Sequence, residues 1–427
     1  MGYVLDLTGI GIRFAGTAGE REAAERIESA LRSLGLEVQR QEFPCLSFDF
    51  DLCELEGREN GRWAKIPAYP AAHSPSTPSD GIQADLMPIE KIPEDGCWQE
   101  SPASRAAVVY SSELFDFAKF GSLMQADPAA VLVVDDRLPF DWTVAVGFPR
   151  AWVDRIRCPV VNVPYAAAWE MTRNGVDRIR VRLQTKVEKA VSQNVIADLP
   201  GAGSNELTIV SAHHDSVLNN PGADDNCSGV AVMLEIARHF SRNPPYSGLR
   251  FISFGTEEQL SEGARHYLLH EPDLSRIRFA LNNDAMGGWM GRTEIYCTGS
   301  EKLRDVVEKV CRETGFPGHP TIELSPFSDH FPLNLAGIPS AWYYRKTFAA
   351  ARHFHHSRKE TDEVVSPAVL ARTTLHQVAL LEKLTAGGEP PFPSVVPAEQ
   401  RKRLSKMAME WCGLRKEDLP KGKKKRI

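Results

Sequence analysis

The chain has 427 residues, 42% of them hydrophobic and 25% charged, and its formal net charge at pH 7 is -6. These values are typical of a globular protein with room for two or three domains, and the acidic balance argues against a general affinity for nucleic acid or anionic membranes. No apolar run approaches the ~18 residues of a membrane span, and the first residues lack the basic and apolar segments of a signal peptide. We therefore expect a cytoplasmic protein, or a secreted or periplasmic one if a signal peptide has been removed.

The first elements in the chain are an amphipathic helix over residues 19–36 and an alternating strand over 37–43. Residues 49–185 then change character, with many prolines, short β-like runs such as AAVVYS and few helical patterns. We predict that they form an inserted β-rich domain, and that the main domain comprises residues 1–48 and 186–388. Residues 389–427 are predicted to be a linker, a helix and a basic tail ending in KGKKKRI, which we expect to be solvated.

Strands and helices alternate regularly after the insertion. The predicted strands are SQNVIADLP (192–200), ELTIVSA (206–212), LRFISFG (249–255), RFALNND (278–284) and IPSAWYY (338–344). Helical patterns lie between and after them, at residues 229–241, 263–270, 300–315 and 366–387. This alternation predicts an α/β fold with a doubly wound, mostly parallel sheet flanked by helices. Such a sheet places its functional site outside the carboxyl ends of the strands.

Eight cysteines are scattered along the chain without any Cys-x-x-Cys spacing. In a chain of this length the distribution indicates reduced thiols rather than a disulfide framework or a cysteine-rich zinc module. If the protein binds zinc, its ligands are therefore histidines and carboxylates. Such ligand sets are commoner at catalytic sites, where one position stays open to water.

Polar side chains recur where the predicted strands end. They are His213, Asp215, Asp224 and Asp225, then Glu257 and Glu258, then Asp284, then Asp329 and His330, and finally His355 and His356. Each group alone has an ordinary explanation, because Asp and Asn suit turns and glutamates suit helix starts. Their recurrence at equivalent positions indicates a shared site instead. The set would suit two divalent ions about 3.5–4 Å apart, with one further carboxylate to accept a proton from water.

The motifs around these residues resemble those of a known family. They are AHHDS, PGADDNCSGVAVMLEIAR, FGTEEQLSEGARHYL, NNDAMGG, SDHFPLNLAGIP and HSRKET. In order and spacing they are similar to the motifs of the di-zinc exopeptidase family that includes bacterial leucyl aminopeptidases, aminopeptidase Y and glutamate carboxypeptidase. The resemblance covers residues 15–45 and 190–385, and the inserted region resembles the protease-associated domain that several members carry at this point.

The resemblance implies two zinc ions, with cobalt and manganese as alternatives. His213 and Asp284 would hold one ion, Glu258 and His356 the other, and Asp225 would bridge them. Glu257 would be the general base, and Asp215 would orient His213 through its second ring nitrogen. A cis peptide bond is implied between Asp225 and Asn226.

The last metal ligand is the least certain part of the pattern, because several histidines compete for the role. The family motif fits if His356 is the ligand. His355 then stands where many members carry a tyrosine that stabilises the oxyanion, and we take His355 as the candidate donor. His330 is the rival ligand; otherwise it and Asp329 are expected beside the ligands or facing the substrate. Leu260 also departs from the family, which often has glycine there.

The resemblance implies hydrolysis of the terminal peptide bond of a peptide substrate, most simply by an aminopeptidase. A carboxypeptidase of the glutamate carboxypeptidase type is the first alternative. It would need a cation for the free carboxylate, and Arg345 with Lys346, after the IPSAWYY strand, is the candidate. An inactive binding protein of the same fold is the second alternative, although all ligands and the base are present. Neither nucleic acid nor a membrane is an expected partner, and the oligomeric state is open.

Overall fold

A computed structural model of the chain describes residues 1–136, 140–145, 147–347, 354–387 and 389–414. These residues fall into two compact units. The first unit contains residues 1–45 and the described residues of 190–408, and the second unit contains the described residues of 46–189 and residues 409–414. Within the described ranges, no helix has both the length and the apolar character needed to cross a membrane.

The strands, numbered in chain order, are β1 (Glu37–Glu59), β2 (Arg62–Ile66), β3 (Tyr69–Pro70), β4 (Ile82–Ile89), β5 (Ala106–Tyr110), β6 (Ala130–Val134), β7 (Val160–Val163), β8 (Arg178–Leu199), β9 (Ser204–His213), β10 (Ser247–Phe254), β11 (Ile277–Asn283), β12 (Arg292–Thr298), β13 (Gly318–Ile322) and β14 (Ser340–Lys346). The α-helices are α1 (Gly2–Thr8), α2 (Ala18–Ser33), α3 (Ser111–Leu114), α4 (Phe117–Gln125), α5 (Arg150–Val153), α6 (Tyr165–Arg173), α7 (Gly229–Arg242), α8 (Glu262–His270), α9 (Glu301–Thr314), α10 (His330–Leu335), α11 (Pro367–Thr385) and α12 (Ala398–Cys412).

The sheet of the first unit has the strand order β13-β12-β14-β11-β9-β10-β8. Four of its pairs are parallel: β9 with β10, β9 with β11, β11 with β14, and β12 with β13. The pairs of β12 with β14 and of β8 with β10 are antiparallel. The predicted doubly wound, mostly parallel α/β fold is therefore confirmed.

Helices cover both faces of this sheet because neighbouring strand residues point to opposite sides. Val210 of β9 packs in one apolar cluster with residues of α2, α7, α9 and α11. The preceding residue, Ile209, packs in a second cluster with residues of α8 and α10. Both faces of the central strands are buried, which explains why these strands are nearly continuous apolar runs.

Two strands of this sheet were not predicted from the sequence. β13 contains Pro320, which argues against a central strand because proline donates no backbone hydrogen bond. β13 lies at the edge of the sheet, where proline is tolerated. β12 follows a glycine-rich loop and pairs with β13 on one side and with β14 on the other.

The second unit contains more helix than the sequence patterns indicate. Its strands β4, β5, β6 and β7 form consecutive parallel pairs, and its residues also form α3 to α6. α4 has nine residues and begins where the Asp116 carboxylate accepts hydrogen bonds from the backbone of Ala118 and Lys119. Helices this short show too few turns for their periodicity to stand out, which explains why the sequence patterns did not reveal them.

Candidate active site

His213, Asp215 and Asp225, then Glu257 and Glu258, and then Asp284 lie at or after the carboxyl ends of β9, β10 and β11, whereas Asp329 and His330 precede β14; these strands are neighbours in the sheet. β9 ends at His213, so Asp215 lies beyond the strand rather than on its face. Glu257 and Glu258 form a short 3-10 turn after β10, and Asp284 follows the last residue of β11 directly. Parallel strands end at one edge of a sheet, and this edge collects the residues.

One group of side chains, the strand cluster, consists of His213, Asp225 and Asp284. Their nitrogen and oxygen atoms lie within 4.8 Å of one another, and all three residues are buried. His213 Nε2 lies 3.0 Å from Asp225 Oδ1 and 3.8 Å from Asp284 Oδ1. Glu257 lies beside this cluster, with Oε2 3.8 Å from the same nitrogen.

A second group, the histidine cluster, consists of Asp225, His355 and His356. Asp225 Oδ2 lies 3.0 Å from His355 Nδ1 and 3.5 Å from His356 Nε2. His356 Nε2 also lies 3.0 Å from Glu258 Oε2. Asp225 thus belongs to both clusters and turns one oxygen to each, which is the arrangement expected of a carboxylate between two cations.

Asp215 has a wider structural role than the orienting one predicted from the sequence. Its Oδ1 lies 3.4 Å from His213 Nδ1. The same oxygen accepts a hydrogen bond from the backbone of Glu257 at 2.9 Å, and Oδ2 accepts one from the backbone of Glu258 at 3.1 Å. One buried carboxylate therefore fixes both the histidine ring and the glutamate pair.

Burial and mutual repulsion shift the acid–base equilibria of these groups. Burial raises the pKa of Glu257 well above its usual range, and Asp329, Asp284 and Glu258 raise it further. Burial would lower the pKa of His356, but Glu258 and Asp225 raise it to about 10. These shifts show that the site holds more negative charge than it neutralises unaided.

The two clusters fit divalent metal ions. The ion-pair partners of Asp225, Glu257, Glu258 and Asp284 among the described residues are histidines. A cation between them would balance the surplus charge. Imidazole nitrogens and carboxylate oxygens without thiolates form a ligand set that zinc accepts at catalytic sites.

Asp329 and His330 lie close to the clusters but outside them. Asp329 is fully buried, and within the described part of the chain neither of its carboxylate oxygens has a hydrogen-bond donor. Burial raises its pKa well above the usual range, and although His213 opposes the shift, Asp215, Asp284 and Glu258 add to it. The ring of His330 stacks on Trp342 with a centroid distance of 4.9 Å, and burial lowers its pKa to about 3.

Arg345 is a buried residue of β14, whereas the sequence placed it after that strand. Its guanidinium donates hydrogen bonds to Thr293 Oγ1 at 3.0 Å and to the carbonyl of Gly291 at 2.7 Å. Both acceptors belong to β12 or to the loop before it. The described contacts therefore tie Arg345 to the neighbouring strand.

Several local features also match or explain the sequence patterns. The Asp225–Asn226 peptide bond is cis, as the resemblance implied. Leu260 adopts a left-handed backbone conformation with φ of 63°, which glycine adopts at lower cost and which explains the glycine common in the family. His214, the neighbour of His213, turns its Nδ1 to Ser253 Oγ at 3.0 Å.

Three buried charged residues near the site were given no role from the sequence: Arg13, Glu20 and Glu360. Arg13 donates to the backbone carbonyls of His214 at 2.8 Å and of Gly222 at 3.2 Å, so it holds both ends of the loop after β9. Glu20 accepts hydrogen bonds from Gly16 at 2.6 Å and from Ser192 Oγ at 2.5 Å. Burial, together with the charge of Asp215, raises its pKa to about 8. Of these three residues, only Glu360 belongs to one of the family motifs, HSRKET, so the sequence offered a signal for Glu360 alone.

Comparisons with known proteins agree with this geometry. Residues 194–381 match the family described as Peptidase family M28. Aminopeptidase YwaD of Bacillus subtilis is 28% identical over 340 residues, which cover 78% of this chain and 72% of that protein. The probable lipoprotein aminopeptidase LpqL of Mycobacterium tuberculosis is 29% identical over 286 residues, which cover 65% of this chain and 55% of that protein.

A solved structure gives the same answer for the fold. The structure of BSAP, described as a zinc aminopeptidase from Bacillus subtilis, has a TM-score of 0.72 and 25% sequence identity. The match covers 89% of this chain and 93% of that chain. The resemblance first drawn from the motifs is therefore confirmed.

Proposed function

We propose that this chain, whose residues 194–381 match peptidase family M28, is a metal-dependent aminopeptidase that hydrolyses the N-terminal peptide bond of peptides. The observation that carries the proposal is the position of Asp225, shared by two clusters of candidate ligands with Glu257 beside one of them. The relatives described as aminopeptidases support the same activity.

Zinc is the metal that the similarity to BSAP supports, and we propose two ions. His213 and Asp284 would hold the first, Glu258 and His356 the second, and Asp225 both. When bound, such a pair lowers the pKa of water and polarises a carbonyl.

The chain's own residues would handle the proton and the developing charge. Glu257 accepts the proton of the attacking water and passes it to the leaving amine. Its place beside the strand cluster, with Oε2 3.8 Å from His213 Nε2, puts it within reach of a water held there. Asp215 keeps Glu257 in place through the backbone hydrogen bond, and His355 donates to the oxyanion.

The surroundings of the site favour a free amine over a free carboxylate as the recognised end. Asp329 adds a buried carboxyl group whose oxygens accept no hydrogen bond from the described residues, and a substrate ammonium group would stabilise its ionised form. Arg345, the candidate for binding a carboxylate, is engaged with Thr293 and Gly291. This favours the aminopeptidase over the carboxypeptidase.

A paired assay tests the proposal. One peptide would be offered with a free or acetylated N-terminus and with a free or amidated C-terminus, to zinc-loaded protein. We expect acetylation to abolish hydrolysis and amidation to leave it unchanged. The Glu257→Gln variant should bind zinc yet hydrolyse none of the peptides. Zinc-loaded wild-type protein that cleaves no peptide would favour the inactive binding protein instead.

The domain assignment is likewise a proposal. We propose that residues 49–185 are a protease-associated-like insertion in a catalytic domain of residues 1–48 and 186–388. Residues 46–189 supply a compact unit with apolar cores of its own, which supports this view. The KGKKKRI end lies outside the described residues, and the cytoplasmic location stays a prediction.

A further inference from the structure

Glu360 is a buried carboxylate that joins two loops carrying candidate metal ligands. Glu360 is 1% exposed to solvent. Oε1 accepts hydrogen bonds from the backbone N–H groups of Asp224 at 3.1 Å and of Asp225 at 2.6 Å. Oε2 accepts from Asn220 Nδ2 at 2.8 Å and from the backbone N–H of His356 at 3.2 Å. Its partners thus come from the loop after β9 and from the loop after β14.

The four contacts suit a carboxyl group rather than an amide side chain. Four N–H donors face the two oxygens of Glu360 and take up all the lone-pair positions that a carboxylate offers. A glutamine at this position would turn its NH2 group towards two of the four donors. The hydrogen bonds of those two donors would be lost, and their N–H groups would stay buried without an acceptor. Burial, with the nearby charges of Asp225 and Asp224, raises the pKa of Glu360 well above its usual range, and the hydrogen bonds from Asp225 and Asn220 oppose this shift.

We propose that Glu360 is a positioning residue that sets the distance between Asp225 and His356, and through it the geometry of the histidine cluster. The proposal rests on the proposed metal-dependent function. Asp225 Oδ2 and His356 Nε2 lie 3.5 Å apart, although nothing in the sheet links β9 directly to the loop after β14. One carboxylate that binds the backbone of both residues provides that link.

The loop after β9 has a second support that is independent of Glu360. Arg13 donates hydrogen bonds to the carbonyls of Gly222 and Pro221, and Asp224 Oδ1 accepts one from the backbone of Gly287 at 2.6 Å. Loss of the Glu360 contacts would therefore displace Asp225 and His356 relative to each other without releasing the loop. A variant of Glu360 should fold and show its defect at the metal site.

The test uses the full chain loaded with cobalt(II), whose visible absorption spectrum reports the ligand geometry of a metal site. The variants are Glu360→Gln, which keeps the size and removes the charge, and Glu360→Asp, which keeps the charge on a shorter side chain. The matched control is Glu271→Gln. The Glu271 side chain is 5% exposed and binds Arg250 and the hydroxyl of Tyr267, away from the candidate ligands.

We expect Glu360→Gln to alter the cobalt spectrum and to lower kcat by about 10–100-fold, the range seen when partners of metal ligands are removed, with KM nearly unchanged. Glu360→Asp should recover part of both effects. Glu271→Gln also removes the charge of a buried carboxylate; it should lower the thermal midpoint and leave the cobalt spectrum and kcat as in the wild type.

Three results would overturn the proposal. The first is a Glu360→Gln variant whose cobalt spectrum and kcat equal those of the wild type. If the glutamine variant does not fold, the same result in Glu360→Asp would count instead. Another is a loss of kcat in Glu271→Gln equal to that in Glu360→Gln, which would mark both effects as general destabilisation. A wild-type protein that binds no cobalt would remove the proposed function as well, so the wild-type arm separates the two failures.

Discussion

The strand cluster and the histidine cluster share Asp225 but are held in place by different parts of the fold. His213 ends β9 and Asp284 follows β11, and these two strands pair in parallel through Val210 with Leu281 and Ser211 with Asn282. His355 and His356 instead stand in a loop well beyond the end of β14. The sheet therefore positions the strand cluster, whereas hydrogen bonds to the Glu360 side chain position the histidine cluster.

This difference explains which parts of the site were predictable. A residue at the end of a parallel strand inherits its position from the register of the sheet, so the sequence pattern alone places it. A residue in a long loop depends on contacts with distant segments. The sequence therefore left His355, His356 and the rival His330 in competition for the last ligand position, and the structure brings His355 and His356 to Asp225.

The largest effect is expected from His213→Ala, which removes a nitrogen of the strand cluster. We expect a loss of kcat of more than about 10³-fold, because a metal ion contributes several kcal/mol to charge stabilisation in the transition state. Zinc analysis after dialysis should show a lower metal content than in the wild type. Full activity with unchanged zinc would place the metal elsewhere and break the division into two clusters.

A smaller effect should separate the two histidines of the second cluster. His356→Ala should lower the zinc content, because His356 contacts both Asp225 and Glu258. His355→Ala should keep the zinc and lower kcat by about 10²–10³-fold, the usual loss for an oxyanion donor. Zinc lost from the His355 variant and retained in the His356 variant would reverse the two assignments.

The same reasoning accounts for what the sequence did and did not predict elsewhere. The strands β9, β10, β11 and β14 were predicted because buried parallel strands are apolar runs of a recognisable length. β13 was missed because Pro320 is acceptable only at an edge, and the edge is a property of the whole sheet. Arg13 and Glu360 were missed because their partners are backbone groups of remote loops.

Arg345 offers a test outside both clusters, with an effect on stability rather than on hydrolysis. Arg345→Ala removes hydrogen bonds to Thr293 and Gly291 and should lower the free energy of unfolding by about 1–3 kcal/mol. The kcat and KM for peptides with an amidated C-terminus and for peptides with a free C-terminus should both stay close to the wild-type values. A rise in KM only for peptides with a free C-terminal carboxylate would favour the carboxypeptidase. Arg345 would then be a third functional region beside the two clusters.

The last test concerns the surroundings of the strand cluster and appears in the pH dependence of stability rather than in hydrolysis. Burial raises the pKa of Glu20 to about 8 from an ordinary value of 4.5, so the folded protein retains a proton that the unfolded chain releases. The stabilisation is complete below the ordinary value and is lost as the pH rises towards 8, by about 1 kcal/mol per pH unit. Urea unfolding of the metal-free wild type and of Glu20→Gln between pH 5 and 8 should give diverging curves, with the variant less sensitive to pH. Parallel curves would mean that Glu20 is ionised beside Asp215 in the folded protein, and a further buried negative charge would then lie next to Asp215.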